Sequence, residues 1–316
     1  MAKCPLCKSE DMFLITNKVR FGKEADVYRC NDCSLVFLDQ DSFEFPKDFY
    51  EKEYHQTYLT HVEPDALDPE KYFEKASKTT KKWADKFLYQ FPHCMEATVL
   101  DVGCSTGHFM CQIKPKVRAV IGVELNEKEL KFCKEEKKLE VYNVIKTVLA
   151  NKHFITMIYV LEHIADPVTF LKDCRKKLIV PNGRIVLLVP CINDALLWLY
   201  KIPEYKEFHF CIEHLYYFNK KTLNLVLEQA GFNDIQIEML QEYPLTNHLK
   251  WLYQRAPGGL LESREGEPPI HPSMFLDTTD VETAWTQLWA RFNIDYKHFL
   301  WRFGYGDRLW ATASYA

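Results

Sequence analysis

The sequence predicts an α/β protein: a mostly parallel sheet covered by helices on both faces, preceded by a small cysteine-built module. Three observations lead there. Two CxxC pairs, Cys4-Pro5-Leu6-Cys7 and Cys30-Asn31-Asp32-Cys33, stand near the start. From Thr98 onward, short apolar runs alternate with amphipathic stretches of helical period. The first of those runs ends in a glycine-containing turn, Asp101-Val102-Gly103-Cys104-Ser105-Thr106-Gly107. Near-continuous apolar strands between helices are strands buried on both faces, which is the pattern of a parallel sheet.

Composition sets the bounds. The chain has 316 residues, 47% hydrophobic and 27% charged, enough for one large core and one small module. No stretch approaches the roughly 20 apolar residues of a membrane helix. Met1-Ala2-Lys3-Cys4-Pro5 lacks the apolar core of a secretory signal. Of eleven cysteines, the seven outside the CxxC pairs lie singly among apolar residues, as buried free thiols do. A reducing, cytoplasmic setting is therefore expected. The net charge of -4 gives no basic field and argues against nucleic acid as partner.

The first module spans 1–40. A CxxC turn points two thiolates at one ion, and two such turns complete a tetrahedral four-sulfur site, which selects zinc. Cys4, Cys7, Cys30 and Cys33 are the predicted ligands. Strands are expected at Met12–Thr16, Asp26–Arg29 and Leu35–Leu38, making a zinc ribbon. The alternatives are an iron-only site or a redox dithiol. A redox CxxC belongs at a strand–helix junction of a larger α/β unit, and nothing here resembles one. A closed four-thiolate site has no open position, so its role is in folding.

Residues 41–96 read as a helical lid or linker. Tyr50, Tyr54 and Tyr58 recur at helical spacing. They form either an aromatic face packed on the main domain or a lid with Tyr54 over a ligand. Asp68-Pro69 opens a helix to about Gln90, Asp at the N-cap and Pro in the first turn.

The main domain, 97–316, follows in order. Strands are expected at Thr98–Val102, Ala119–Glu124, Leu139–Asn143, Phe154–Val160, Arg184–Val189, Ile235–Leu240 and Arg308–Ser314. Helices are expected at Gly107–Lys114, Asn126–Lys138, Asp166–Leu178 and Asn219–Ala230, the last stopped by Gly231. Asn126 and Glu129 read as a capping box. An insertion at 241–305 carries Trp251, Trp285, Trp289 and Trp301 and two helices, about Asn247–Arg255 and Val281–Phe303. Its aromatics form a small core, a dimer interface or a surface that stacks on sugars.

Ligands of open α/β sheets bind beyond the carboxyl ends of the strands. Gly103 permits the tight turn after the first strand, and Gly107 lets backbone approach a ligand at the helix start. Alone this motif is weak and fits a dinucleotide too, but the G-x-G-x-x-G spacing is missing. Glu124 ends the second strand, where a carboxylate can accept hydrogen bonds from both hydroxyls of an adenosine ribose. The bland alternative is a surface glutamate.

These residues resemble class I S-adenosylmethionine-dependent methyltransferases. The resemblance extends through Met157-Ile158-Tyr159-Val160-Leu161-Glu162-His163-Ile164-Ala165-Asp166-Pro167. It continues through Glu213-His214-Leu215-Tyr216-Tyr217-Phe218 to Ala230-Gly231-Phe232. The set resembles a methyltransferase group that includes ubiquinone-type O-methyltransferases, and looks closer still to zinc-containing sugar methyltransferases of polysaccharide and antibiotic pathways. The resemblance implies a Rossmann-like, seven-stranded sheet ending in an antiparallel hairpin, Ile235–Leu240 with Arg308–Ser314. It implies S-adenosylmethionine at Asp101, Gly103, Cys104, Ser105, Gly107, His108, Phe109, Glu124, Leu125, Tyr159, Leu161 and Tyr54. The sequence departs from the pattern in three places. His153 stands where an aspartate often leads into the fourth strand. Tyr159 replaces the first glutamate of a metal-binding E-x-x-E-H run. Cys211 and Ile212 replace a Tyr-His before Glu-His.

Methyl transfer to oxygen or carbon needs an oriented acceptor and a base, and histidine titrates in the right range. In the resembling sugar enzymes the Glu-His histidine is the base, which makes His214 the first candidate and His163 the second. Glu213 would orient a substrate hydroxyl or a histidine. A structural hydrogen bond is the competing account of each histidine, and His209 is a weaker candidate. The favoured acceptor is a small molecule, a sugar or nucleotide-linked sugar. The first alternative is an rRNA or tRNA methyltransferase whose zinc ribbon holds RNA, although that ribbon lacks a dense Lys/Arg stripe. The second is a non-catalytic protein that binds the cofactor or a partner.

Overall fold

The computed structural model describes residues 3–44, 67–178, 182–256 and 279–315. Two compact units share the chain, each drawn from three stretches. The first takes Met1–Phe43, Pro190–Lys220 and Glu238–Leu309; the second takes Glu44–Val189, Lys221–Ile237 and Trp310–Ala316.

The first unit opens with β1 (Met12–Val19) and β2 (Lys23–Cys30), antiparallel from Met12↔Cys30 to Val19↔Lys23. Arg20–Gly22 joins them, with Phe21 and Gly22 both left-handed at φ 62 and 67. β3 (Val36–Leu38) adds antiparallel to β2, and all three of its residues are buried. The fourth strand is unexpected. Tyr216–Tyr217 (β9) pairs with Phe37 and Val36, giving the order β1-β2-β3-β9. A two-residue strand has no readable period, so only tertiary pairing reveals it.

The seven-stranded sheet begins after α1 (Pro69–Gln90). Asp68 caps α1, its carboxylate accepting from Glu70 N and Lys71 N. The elements then run β4 (Thr98–Val102), α2 (His108–Ile113), β5 (Ala119–Val123), α3 (Glu127–Glu135), β6 (Glu140–Tyr142), β7 (Phe154–Ile158), α4 (Pro167–Arg175) and β8 (Gly183–Pro190). After β8 come α5 (Ala195–Trp198) and α6 (Pro203–His209), which the sequence did not signal, then β9 and α7 (Lys220–Gln229). β10 (Asn233–Leu240), α8 (Leu245–Gln254), α9 (Thr279–Arg302) and β11 (Arg308–Tyr315) complete the chain.

The order is β10-β11-β8-β7-β4-β5-β6. The pairs β8–β7, β7–β4, β4–β5 and β5–β6 are parallel. Asp307 N donates to Leu240 O at 3.0 Å, and Ser314 Oγ to Asn233 O at 3.3 Å. Rising numbers in β11 therefore meet falling numbers in β10, so the final hairpin is antiparallel. The expected seven-stranded sheet is present and mixed, and a separate four-stranded antiparallel sheet belongs to the part of the chain that carries four cysteines.

Val99, Leu100, Ile155, Met157, Ile185, Val186 and Leu187 are all fully buried. Burying each such side chain contributes about 1.5–3 kcal/mol relative to exposure. His153 enters this sheet as a strand anchor: its Nδ1 accepts from Thr98 N at 3.1 Å. α3 stops three residues earlier than expected, and Lys138 turns left-handed at φ 52. No helix among the described residues is long and apolar enough to cross a membrane.

Candidate functional site

The second unit gathers the glycine turn and its acidic neighbours. Gly103 sits at φ 70 and its N–H donates to Val123 O at 2.8 Å, so the chain bends over the end of β5. A Cβ built on Gly103 would lie 2.5 Å from Val160 Cγ2. Gly107 holds φ 76 at the start of α2, and a Cβ there would press into Leu139. Both glycines are thus required by backbone conformation and by the close approach of the chain to itself.

Glu124 follows β5 and ties two loops together. Its Oε2 accepts from Ser105 N at 2.8 Å and its Oε1 from Asn126 N at 2.9 Å. Burial raises its pKa, against the lowering effect of those amides. A carboxylate offers about four lone-pair positions, so two amides leave room for two vicinal hydroxyls. That capacity fits an adenosine ribose.

Glu129 lies beside it in a role the sequence hid. The predicted capping box is half formed: Asn126 Oδ1 accepts from Lys128 N and Glu129 N at 3.0 and 3.1 Å. The Asn126 N–H that a capping glutamate would take already serves Glu124. The Glu129 carboxylate turns instead to Ser105 Oγ, 2.8 Å away. Burial and then the charge of Glu124 push its pKa well up. Tyr72 of α1 is the second missed residue. Its hydroxyl is raised by burial and by the charges of Glu129 and Glu124, and its ring meets His108 edge-on at 6.2 Å. Its place on the apolar face of α1 concealed it.

Asp101 faces inward: Thr156 Oγ1 donates to its Oδ1 at 2.6 Å, linking β4 to β7. Burial lifts its pKa to about 7. Burial lowers His108 to about 4, with its Nδ1 3.1 Å from Thr106 Oγ1. Cys104 and Phe109 are buried, and Leu125 is 48% exposed. Tyr159 follows β7 at φ 58, a conformation a bulky side chain adopts only under constraint; its N–H donates to Leu188 O at 2.8 Å. Leu161 and Glu162 are fully buried in the next turn, and His163 Nε2 lies 3.9 Å from Glu162 Oε1. Tyr50, Tyr54 and Tyr58 fall outside the described residues.

The first unit holds the four cysteines. Their sulfurs lie within 4.8 Å of one another, with Cys4–Cys33 and Cys7–Cys30 both at 3.5 Å. Disulfides need about 2.05 Å. Tetrahedral sulfurs about 2.3 Å from zinc sit roughly 3.8 Å apart, close to what is seen. The two turns share one hydrogen-bond frame. Lys8 N donates to Cys4 O and Ser34 N to Cys30 O; Cys4 N donates to Ser9 O and Cys30 N to Leu35 O, all between 2.8 and 3.0 Å. Lys8 and Ser34 are both left-handed. The group can hold zinc.

The same unit carries the loop after α6. Glu213 is buried and pairs with Arg20 at 3.3 Å. His214 is half-buried, its ring 5.9 Å from that of Tyr217. Cys211 N donates to Tyr217 Oη at 2.8 Å, and that hydroxyl donates back to Cys211 O at 3.1 Å. Cys211 and Ile212 are themselves buried. Burial, then Arg20 and Arg308, lower His209 to about 3. In the insertion, Trp251 is buried against Tyr205 at 4.8 Å and Phe208 at 5.2 Å, which makes it core. Trp301 is 61% exposed.

The sequence matches a family described as a methyltransferase domain over residues 72–237, more than half of the chain. Among solved structures it is similar to an S-adenosylmethionine-dependent methyltransferase of Archaeoglobus fulgidus. Identity there is 20%, with 77% of this chain and 98% of that one covered and a TM-score of 0.46. It is also similar to phosphoethanolamine N-methyltransferase 2 of Haemonchus contortus, solved with S-adenosyl-L-methionine. That match has 15% identity, 74% and 52% coverage and a TM-score of 0.44. No curated protein matches it in sequence.

Proposed function

We propose that this chain, which belongs to the methyltransferase-domain family and is an S-adenosylmethionine-dependent methyltransferase, methylates a small molecule, a sugar or nucleotide-linked sugar, with His214 as general base. The observation that carries this reading is the Glu124 carboxylate, which holds Ser105 N at 2.8 Å and Asn126 N at 2.9 Å and keeps acceptor capacity for two ribose hydroxyls.

S-Adenosylmethionine supplies a sulfonium methyl whose bond electrons return to sulfur as the acceptor takes the carbon. In the proposed site, Glu124 accepts the ribose hydroxyls and the turn from Gly103 to Gly107 lies against the adenosyl group. Tyr72 and His108 close it off from water. His214 takes the proton that the acceptor loses, and Glu213 orients an acceptor hydroxyl. His163 is the second candidate for the base. The four cysteines hold zinc without an open ligand position, so the metal folds the sheet and takes no part in the chemistry.

The test is incubation with labelled S-adenosylmethionine and a panel of nucleotide sugars, with mass spectrometry of the products. His214→Asn should abolish turnover and leave affinity for S-adenosylhomocysteine intact. Full activity in that variant moves the role to His163, checked by His163→Asn. Label appearing on co-purified RNA, with salt-sensitive binding, transfers the reading to an RNA acceptor.

A further inference from the structure

We propose that Arg20 is the positioning residue of the acceptor loop: from the end of β1 it holds Glu213, and so fixes the Glu213-His214 pair. The inference rests on the roles just given to those two residues.

Arg20 reaches the loop in four ways. Its backbone N donates to Phe210 O at 2.7 Å. Its Nε donates to Phe208 O at 2.6 Å and its Nη1 to Glu213 Oε1 at 3.3 Å. Its guanidinium lies 4.3 Å from the centre of the Phe208 ring. Both ends of the pair are largely shielded, with side-chain exposures of 15% and 8%. A shielded carboxylate is costly without a partner, so the pair sets where Glu213 points. The fork matters as much as the charge: Nε and Nη1 serve a carbonyl and a carboxylate together, which one lysine ammonium cannot reproduce.

The far side of the loop is pinned to the same sheet. Leu38 N donates to Leu215 O at 3.0 Å, and Tyr216 and Tyr217 pair with β3. Tyr217 Oη then braces Cys211 across the loop. Glu213 and His214 thus sit between two attachments to the sheet that carries the cysteines. A base displaced by about 1 Å can lose on the order of a hundredfold in rate, so such a clamp has kinetic consequences.

The test compares Arg20→Ala, Glu213→Gln and the double variant in full-length, zinc-loaded protein. Zinc content of one per chain and unchanged S-adenosylhomocysteine affinity show that each variant is folded; Arg20→Lys substitutes if Arg20→Ala is not. Amide exchange across residues 208–217 should quicken tenfold or more in Arg20→Ala. With an acceptor from the panel, both single variants should lose ten- to hundredfold in kcat, with KM for S-adenosylmethionine unchanged. The double variant should be no slower than the worse single. Unchanged exchange at 208–217 overturns the clamp, whether or not an acceptor is in hand. Quickened exchange with wild-type kcat, or losses that multiply, overturns the positioning role. If His214→Asn keeps full rate while Arg20→Ala is slow, the base assignment fails and the clamp on Glu213 stands.

Discussion

Gly103→Ala tests how the turn after β4 is built. Two penalties add. At φ 70 a residue with a side chain bears about 1–2 kcal/mol of backbone strain. The new methyl would lie 2.5 Å from Val160 Cγ2, and β-branched valine yields little. Overpacking of this kind costs about 1–3 kcal/mol. The sum is about 3 kcal/mol, or a melting-temperature fall of roughly 6–12 °C at about 2–4 °C per kcal/mol. Val160→Ala removes the obstructing methyl but not the strain. The Gly103→Ala/Val160→Ala double should therefore be more stable than the two single losses predict, by about 1 kcal/mol or more. Urea denaturation of all four proteins measures the cycle, and calorimetry with S-adenosylhomocysteine reports whether the turn keeps its shape. A Gly103→Ala protein with unchanged stability, or strict additivity in the cycle, would show that neither the φ nor the contact constrains this turn.

Three further outcomes follow from the same geometry. Asp101 has a folded pKa of about 7 against 3.8 for a free carboxyl, so the native state holds its proton more tightly and stability falls as pH rises from about 4 to 7. Asp101→Asn keeps an acceptor for Thr156 and lacks this loss, so it should gain on the wild type across that window; parallel melting curves from pH 4 to 8 would contradict it. Glu124→Gln retains one amide acceptor of two and should weaken S-adenosylhomocysteine binding tenfold or more in calorimetry. Glu124→Ala should also lower the melting temperature further, because the Ser105 and Asn126 N–H groups both lose their acceptor. Stripping zinc with a chelator, or Cys30→Ser, should quicken amide exchange in β1, β2, β3 and residues 208–217; protection there that survives metal loss would separate the loop from the cysteines.

The sequence was most legible where chemistry is local. CxxC spacing announces a four-sulfur site because four thiolates suit one kind of ion. The turn after Asp101 is readable because φ near 70 calls for glycine. The parallel strands declare themselves through unbroken apolar runs. What stayed hidden is contact at long range or a residue with two plausible uses. Glu129 fits a capping box until Glu124 is seen to occupy the Asn126 N–H. Tyr72 reads as core because its face of α1 is apolar. The Arg20–Glu213 pair spans 193 positions, and no local pattern marks either partner for the other.

The pairing of β3 with β9 has a consequence for biosynthesis. Cys4 to Cys33 span 30 residues and leave the ribosome close together. The edge of Val36-Phe37-Leu38 waits for Tyr216 and Tyr217, some 180 residues later. At about 5–20 residues per second that interval is on the order of 10–40 s. Throughout it the nascent chain displays an uncapped apolar strand, open to stray β-pairing with other chains. Synthesis rate and chaperone supply should therefore govern recombinant yield more than the stability of the finished protein does.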